Sequence, residues 1–446
     1  MLKKTVVFLS SLWLLAESGY GLLQIAGRRV SGHALFAMTG HFSNPGPFGG
    51  FIAVLMAVCG AYCLLHREDK GIGRWIVYLS LAAFAGGFLV LPASMSRAAW
   101  LGLAVAAMIL LLRERIFRNV FKNRPWLVAA VAATALALCT GGFLLKKESA
   151  LGRLHIWRIE SRIIARNPLT GTGPGKLAFS YGEEQARFFS EKKRAPETVR
   201  IAGCPEYAFN EYLHAGVTFG LAGLLASIAL AVLVCTILVR KDNPLGYGAV
   251  VLAVFAFFSY PLNLWQFRLL AGLFLAAAAG ELLGKRDWMA YAAFAVAVAA
   301  IYAGNGRTSS SPGYRELYNQ GHLLFEAGRY DEALPLLEEG ASLSCDPMFH
   351  NIIGRCHEAL GDAETAQKEY IHSHYMVPGR IYPLVLLQEL YLSQGDTAKA
   401  SAMLSAIREI PINEKNRNMA ELKERAEKNH PRDLSPQYGL PITSTD

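Results

Sequence analysis

Nine apolar runs fill the first three hundred residues, at roughly 5–26, 48–65, 75–94, 97–112, 125–145, 212–239, 246–264, 267–284 and 288–304. Most approach the length an α-helix needs to cross bilayer hydrocarbon, where each backbone N–H and C=O must be satisfied within its own segment. The pattern predicts an all-α chain that begins as a polytopic membrane helix bundle of about nine spans. One long polar stretch interrupts it, from about Lys146 to His214. A connection of that length is functional or disordered in most proteins, and its Gly/Pro-punctuated patterns argue against disorder.

Charge sharpens this division. Of the 44 Lys and Arg, 30 lie before residue 306, against 15 of the 35 Asp and Glu, so the remainder of the chain is net acidic. The net charge of +9 therefore belongs to membrane loops. No nucleic-acid motif accompanies it, and nucleic acid is not an expected partner. Basic clusters occur at Lys3-Lys4, His66 to Arg74, Arg113 to Arg124, Arg240-Lys241 and Lys285-Arg286. With nine spans and a cytoplasmic N-terminus, all five fall on the cytoplasmic side, as basic loops do. The segment 27–47, the turn Ser94-Met95-Ser96-Arg97, the loop 146–211, the turn Tyr260-Pro261-Leu262-Asn263 and everything after Asn305 then lie outside. The N-terminal run continues past Glu17 without a small-x-small cleavage site and reads as a retained signal anchor.

Beyond a linker at 305–313 a pattern recurs. Gly328-Arg-Tyr-Asp-Glu-Ala333, Gly361-Asp-Ala-Glu-Thr-Ala366 and Gly395-Asp-Thr-Ala-Lys-Ala400 follow at steps of 33 and 34 residues. Period, Gly-x-x-x-x-Ala pattern and Pro378 resemble tetratricopeptide repeats, which implies an α-helical solenoid over 314–430 that binds a protein partner. The charged segment 413–430 reads as its capping helix and 431–446 as a loose tail. The membrane domain is thus expected at 1–304.

Cysteine points nowhere in particular. Cys59, Cys63, Cys139 and Cys235 lie in apolar runs; Cys204, Cys345 and Cys356 match no zinc spacing, and a Cys345–Cys356 bridge is open on spacing but not expected. No metal site and no cofactor is expected.

Inside the polar stretch, His155, Arg158, Arg162 and Arg166 are spaced three, four and four apart and share one helix face. The plain reading of Arg162 and Arg166 is an interfacial helix on anionic lipid. Asn167-Pro168-Leu169-Thr170-Gly171-Thr172-Gly173-Pro174-Gly175 ends that helix; it lacks the Lys-Ser/Thr of a phosphate loop, and a turn is its plain reading. Glu211 and His214, three apart at the start of a span, are ionisable groups of the kind that mark function near membranes. A helix-end carboxylate is the structural alternative for Glu211.

Several stretches in order resemble the O-antigen ligase and polymerase family of bacterial envelope glycosyltransferases. They are Glu17-Ser-Gly-Tyr-Gly-Leu-Leu-Gln24, Gly40-His41-Phe42-Ser43-Asn44-Pro45-Gly46-Pro47-Phe48, Ser96-Arg97-Ala98-Ala99-Trp100-Leu101-Gly102, Gly152-Arg153 with Trp157, the Asn167–Gly175 stretch, and Asn210-Glu211-Tyr212-Leu213. The resemblance covers roughly residues 10–285. It implies an inner-membrane enzyme that moves a glycan from a polyprenyl diphosphate to a lipid or glycan acceptor, without metal or nucleotide sugar.

Arginine suits a diphosphate because its planar fork grips two oxygens at once. The resemblance makes Arg153 the loop arginine and Arg97 a second candidate. Arg158, His155, Asn44, His41 and Asn210 are candidates for diphosphate or glycan, and Glu211 or His214 for acceptor activation. Phe209 stands where family ligases often carry a His, which puts the borrowed base in question; His41, His33 and Glu17 are further candidates on that side. The competing reading is a non-enzymatic transporter or a scaffold acting through its repeats. A transporter would tend to show inverted halves with broken mid-membrane helices, and no such halves are visible.

Overall fold

A computed structural model describes residues 2–114, 126, 147–305, 313–411 and 417–429. The expected span at 125–145, most of the linker and the tail lie outside the described residues. Among those described, all regular structure is helical. Eleven α-helices among the described residues precede the linker: α1 (Leu2–Ile25), α2 (Pro45–Leu65), α3 (Ile72–Val90), α4 (Arg97–Arg113), α5 (Lys147–Arg166), α6 (Leu177–Ser190), α7 (Pro196–Ile201), α8 (Glu211–Arg240), α9 (Leu245–Ala256), α10 (Trp265–Leu283) and α11 (Asp287–Asn305). Seven follow it: α12 (Tyr314–Glu326), α13 (Tyr330–Leu343), α14 (Met348–Ala359), α15 (Ala363–Met376), α16 (Tyr382–Ser393), α17 (Thr397–Glu409) and α18 (Arg417–Lys428).

The chain divides into two compact units: Met1–Lys147, Phe209–Tyr212 and Gly223–Thr308 form the first, Glu148–Ala208, Leu213–Ala222 and Ser309–Asp446 the second. The polar loop is therefore built into one unit with the C-terminal helices.

In unit 1, α2 is apolar on every side and buried on nearly every side, so it is the axis of the bundle. α1, α3, α4 and α9 pack around it. Small residues let helices approach: a Cβ on Gly50 would meet the Phe255 ring at 2.4 Å, and one on Gly87 would meet Met56 at 2.6 Å. Phe51, Phe42, Phe255 and Phe267 fill the space that results. Polar contacts between the helices are sparse, as in Ser11 against Ser80 at 2.9 Å.

Charges collect at one end of this bundle. Lys3 meets Glu281 at 2.6 Å, Lys4 meets Asp69 at 2.7 Å, Arg67 meets Glu114 at 3.7 Å and Arg113 meets Asp242 at 2.6 Å. The helices alternate direction from there. The opposite end therefore carries the connections 26–44, 91–96 and 257–264 and the segment 209–212.

Several expected spans change. Among the described residues, five helices are long and apolar enough to cross a membrane: α1, α2, the Ile72–Ser94 segment, α8 and α10; the expected spans at 97–112, 246–264 and 288–304 are not among them. The run expected at 246–264 holds only the twelve-residue α9 before Pro261 forces a tight turn. The run expected as one span at 212–239 is broken at Gly220, whose φ of 69° and ψ of −162° are not helical.

In unit 2, α12/α13, α14/α15 and α16/α17 form successive hairpins, and α18 closes on α16 and α17. The recurring residues explain the hairpins. Gly328, Gly361 and Gly395 adopt φ of 74°, 86° and 74°, ending the first helix of each pair in the left-handed region. Asp362 and Asp396 cap the second helix by accepting the Thr365 and Lys399 N–H at 3.0 Å. Ala333, Ala366 and Ala400 are wholly buried, where a larger side chain would push the helices apart. Arg408 with Glu427 and Arg425 with Glu389 tie down the charged capping helix.

Cys345 pairs with Cys204 of the loop, 141 residues away, and not with Cys356, which is free and buried. Cysteine thus carried a signal after all. Spacing missed it because the two partners come from different segments of one folded unit. Thiol labelling of the unreduced protein should leave Cys204 and Cys345 unmodified until reductant is added. Removing both thiols (C204S/C345S) should cost about 2–5 kcal/mol, the range for losing a bridge over a long loop, read as a lowered unfolding temperature.

Candidate functional site

At the end of unit 1 away from the ion pairs, one glutamine folds the α1–α2 connection. Gln24 is buried; its Oε1 accepts the Thr39 and Gly40 N–H at 3.0 and 2.8 Å, and its Nε2 donates to the Val30 carbonyl at 3.0 Å. This brings His41 back over α1. Glu17 Oε1 lies 3.0 Å from His41 Nδ1, and Tyr20 stacks on the imidazole at 4.0 Å. Glu17 is buried while the His41 side chain is 57% exposed. A buried carboxylate thus orients an imidazole whose other nitrogen faces out. Asn44 then caps α2, its side chain accepting the Gly46 N–H at 2.9 Å.

The turn before Arg97 sits on the same end of α2. A Cβ on Gly49 would meet Ser94 Oγ at 2.4 Å and Ser96 at 2.6 Å, so only glycine admits this contact. Met95 takes a left-handed φ of 49° to make the turn, and Arg97 opens α4 half-buried. Between α2, α3 and α4, an apolar groove of about 600 Å³ runs from Leu91, Pro92 and Trp100 toward Leu110 and Tyr247.

The third piece of this end is 209–212. Phe209 holds a left-handed φ of 52° and packs edge-on against Tyr260 at 5.3 Å. A left-handed Phe is strained backbone, held there by its surroundings. Asn210 is buried and accepts the Tyr212 N–H at 3.0 Å. Glu211 accepts the Leu262 N–H at 2.6 Å, and the Tyr212 hydroxyl donates to the Ala253 carbonyl at 2.9 Å. Glu211 therefore braces the 261–263 turn as well as facing outward half-buried.

Unit 2 carries the remaining candidates. On α5, Arg153 is half-buried and Arg158 exposed. His155, expected to meet substrate, is 4% exposed. Its Nε2 contacts Gln185 Oε1 at 2.8 Å, and burial holds it below the usual imidazole range, hence neutral. It faces the loop's own interior because α5 packs that side against α6.

Arg162 and Arg166 are engaged in ion pairs within the loop. Arg162 Nε bonds Glu184 at 2.6 Å and its Nη2 bonds Glu191; Arg166 Nε bonds Glu184 at 2.7 Å. Bonding to Arg162 in turn holds Glu191 below the usual carboxylate range. His214 lies in the short helical segment before Gly220, and its carbonyl accepts the Thr218 hydroxyl at 2.8 Å.

The glycine-rich stretch docks on the break in α8. Thr172 and Gly173 N–H donate to the Val217 and Thr218 carbonyls at 2.8 and 3.1 Å, and Leu221 N–H donates to the Pro168 carbonyl at 2.8 Å. A Cβ on Gly171 would meet Thr218 backbone at 2.5 Å, and one on Gly220 would meet Pro168 O at 2.5 Å. The turn reading of this stretch is the structural one. What it receives, a broken helix, was signalled only by a glycine within an apolar run.

These features frame the comparison with known proteins. Residues 81–228 match the O-antigen ligase (Wzy_C) family model. The matched segment runs from within α3 into α8 and contains Arg97, Arg153, Asn210, Glu211 and His214. It supports a ligase-type, membrane glycosyl-transfer role in polysaccharide assembly. No curated protein matches the chain. The match supports a lipid-linked glycan and a membrane as the setting.

One group in the ligase-like loop has no counterpart in the sequence reading. Glu160 on α5 is wholly buried beside Ile159, Ile163 and Tyr181, and neither carboxyl oxygen has a hydrogen-bond partner among the described residues. Burial raises its pKa well above the usual carboxylate range. The unfolded chain releases this proton near the ordinary value of about 4.5, the folded one only at higher pH. The stabilising protonated state is thus complete below about pH 4.5, and stability falls as pH rises from there toward the folded pKa. Glu160→Leu should abolish that slope and raise the unfolding temperature at pH 7–8, measured by following unfolding of the detergent-solubilised protein against pH.

Proposed function

We propose that this protein is an inner-membrane glycosyltransferase that moves a glycan from a polyprenyl diphosphate onto an acceptor hydroxyl in surface-polysaccharide assembly. The observation that carries this is the gathering of Arg97, Asn44, the Glu17–His41 pair, Asn210 and Glu211 at the end of unit 1 opposite its ion pairs. The acceptor oxygen attacks the anomeric carbon as the bond to the diphosphate oxygen breaks, and polyprenyl diphosphate leaves. Arg97 binds diphosphate at the mouth of the apolar groove, which suits a prenyl chain. Arg153, with Arg158 nearby on the exposed side of α5, has the same assignment in the loop. His155 holds α5 in place.

Phe209 leaves the acceptor proton without the expected imidazole. His41 fits the role: Glu17 holds Nδ1, so Nε2 is free to take a proton at the exposed face. His214 is the second base candidate; in unit 1, Asn210 holds the Tyr212 N–H and Glu211 braces the 261–263 turn. The hairpins at 33- and 34-residue steps read as a tetratricopeptide-type solenoid that recruits the acceptor or an assembly protein. The Lys3, Lys4, Arg67 and Arg113 end faces the cytoplasm by the positive-inside tendency. A Cys204–Cys345 bridge belongs to an oxidising compartment, which puts loop and solenoid outside.

In a strain lacking the gene, polyprenyl-linked glycan should accumulate. Wild type should clear it, and Arg97→Ala or Arg153→Ala should not; unchanged glycan in the deletion strain would sink the enzyme reading. His41→Ala should slow transfer about 10²–10⁴-fold, the usual share of a general base, whereas that loss in His214→Ala alone reassigns the base. A reporter active only outside the cytoplasm, fused after Asn305, should be active. Activity of a cytoplasmic reporter at that junction refutes the orientation.

A further inference from the structure

Within unit 2, three side chains from three helices converge outside the residues assigned to transfer. Glu183 lies on α6, His350 on α14 and His372 on α15. Each offers a ligand atom, and the three atoms lie within 4.8 Å of one another. His372 Nε2 is 2.9 Å from Glu183 Oε1. The two imidazoles stand edge to face with centroids 4.6 Å apart. Behind them, Glu369, one turn before His372 on α15, holds His350 Nδ1 at 2.7 Å.

We propose that Glu183, His350 and His372 form a binding site for a divalent cation of the zinc class. The donor set, two imidazoles and one carboxylate, is the set that holds Zn²⁺ with one position left for water. Calcium and magnesium prefer oxygen cages and are poorly served here. The carboxylate of Glu369 on Nδ1 fixes the His350 tautomer and leaves Nε2 for the metal, the usual outer support of a metal-bound histidine. Tetrahedral coordination at about 2.0–2.1 Å places ligand atoms roughly 3.3 Å apart, so rotamer adjustment alone closes the site.

The side chains of His350 and His372 are 15% and 31% exposed, so an ion can enter from solvent. Occupancy would clamp α6 of the loop to the α14/α15 hairpin, adding a removable link beside the Cys204–Cys345 bridge and the Gln185 bond to the Met376 carbonyl. The cation would have no part in glycosyl transfer.

The test uses the full chain in detergent, purified on a histidine-free tag and stripped with chelator that is then removed. Calorimetric titration with Zn²⁺ should show one saturable site per chain at micromolar or tighter affinity. Co²⁺ should give the visible bands of a tetrahedral N/O site. His350→Ala and His372→Ala should each abolish both signals, and Glu369→Gln should weaken affinity about 10–100-fold with unchanged stoichiometry. Retention of the Cys204–Cys345 bridge in each variant certifies the fold. Absence of saturable binding in wild type, or equal binding in a bridge-retaining His350→Ala/His372→Ala double variant, overturns the proposal.

Discussion

A helix that breaks must have its freed backbone groups answered by something else, and α8 breaks at Gly220. The answer comes from 168–173, whose amides and carbonyl bond Val217, Thr218 and Leu221. Orphaned peptide groups in apolar surroundings cost several kcal/mol each by transfer measures, so this docking is a condition of the break. It explains why the stretch after α5 is rich in glycine: the two backbones approach too closely for any side chain at Gly171 or Gly220. It also fixes the C-terminal end of α5 within its unit.

The loop is held at its other end by polar bonds in an apolar interior. Gln185 is 1% exposed. Its Oε1 accepts from Tyr181 and faces His155, and its Nε2 donates to the Gly203 and Met376 carbonyls. Next to Gly203 begins the Cys204–Cys345 bridge. Buried networks of this kind specify one arrangement because a half-made version costs more than an apolar core. In the role proposed above, such rigidity would keep the loop arginines in one place.

Legibility in the sequence differed by the range of the interaction. The all-α class, the boundaries of α1 to α4 and the three hairpins follow from local patterns: apolar length, Gly at helix ends, Asp at caps. The candidate residues at one end of unit 1 were visible through the alternation of basic loops. The Glu17–His41 contact was not, because the two are 24 positions apart and the Gln24-folded connection lies between them. Arg162 and Arg166 looked like a lipid-facing stripe because their partners, Glu184 and Glu191, sit on a different helix. Nothing in the sequence marked Glu160, since helical spacing says which residues share a face but not which face is covered.

The sequence by itself determined that this chain makes apolar helices, a polar loop and repeated helical hairpins, because bilayer length, helix capping and glycine conformation act within a few residues. Only the tertiary structure decided that the loop folds with the C-terminal helices. It alone paired Cys204 with Cys345, neutralised the lower half of the arginine stripe, buried His155 and brought two histidines beside Glu183. Those outcomes depend on which surfaces meet after collapse, and contacts between residues on different helices leave no periodic trace in one sequence.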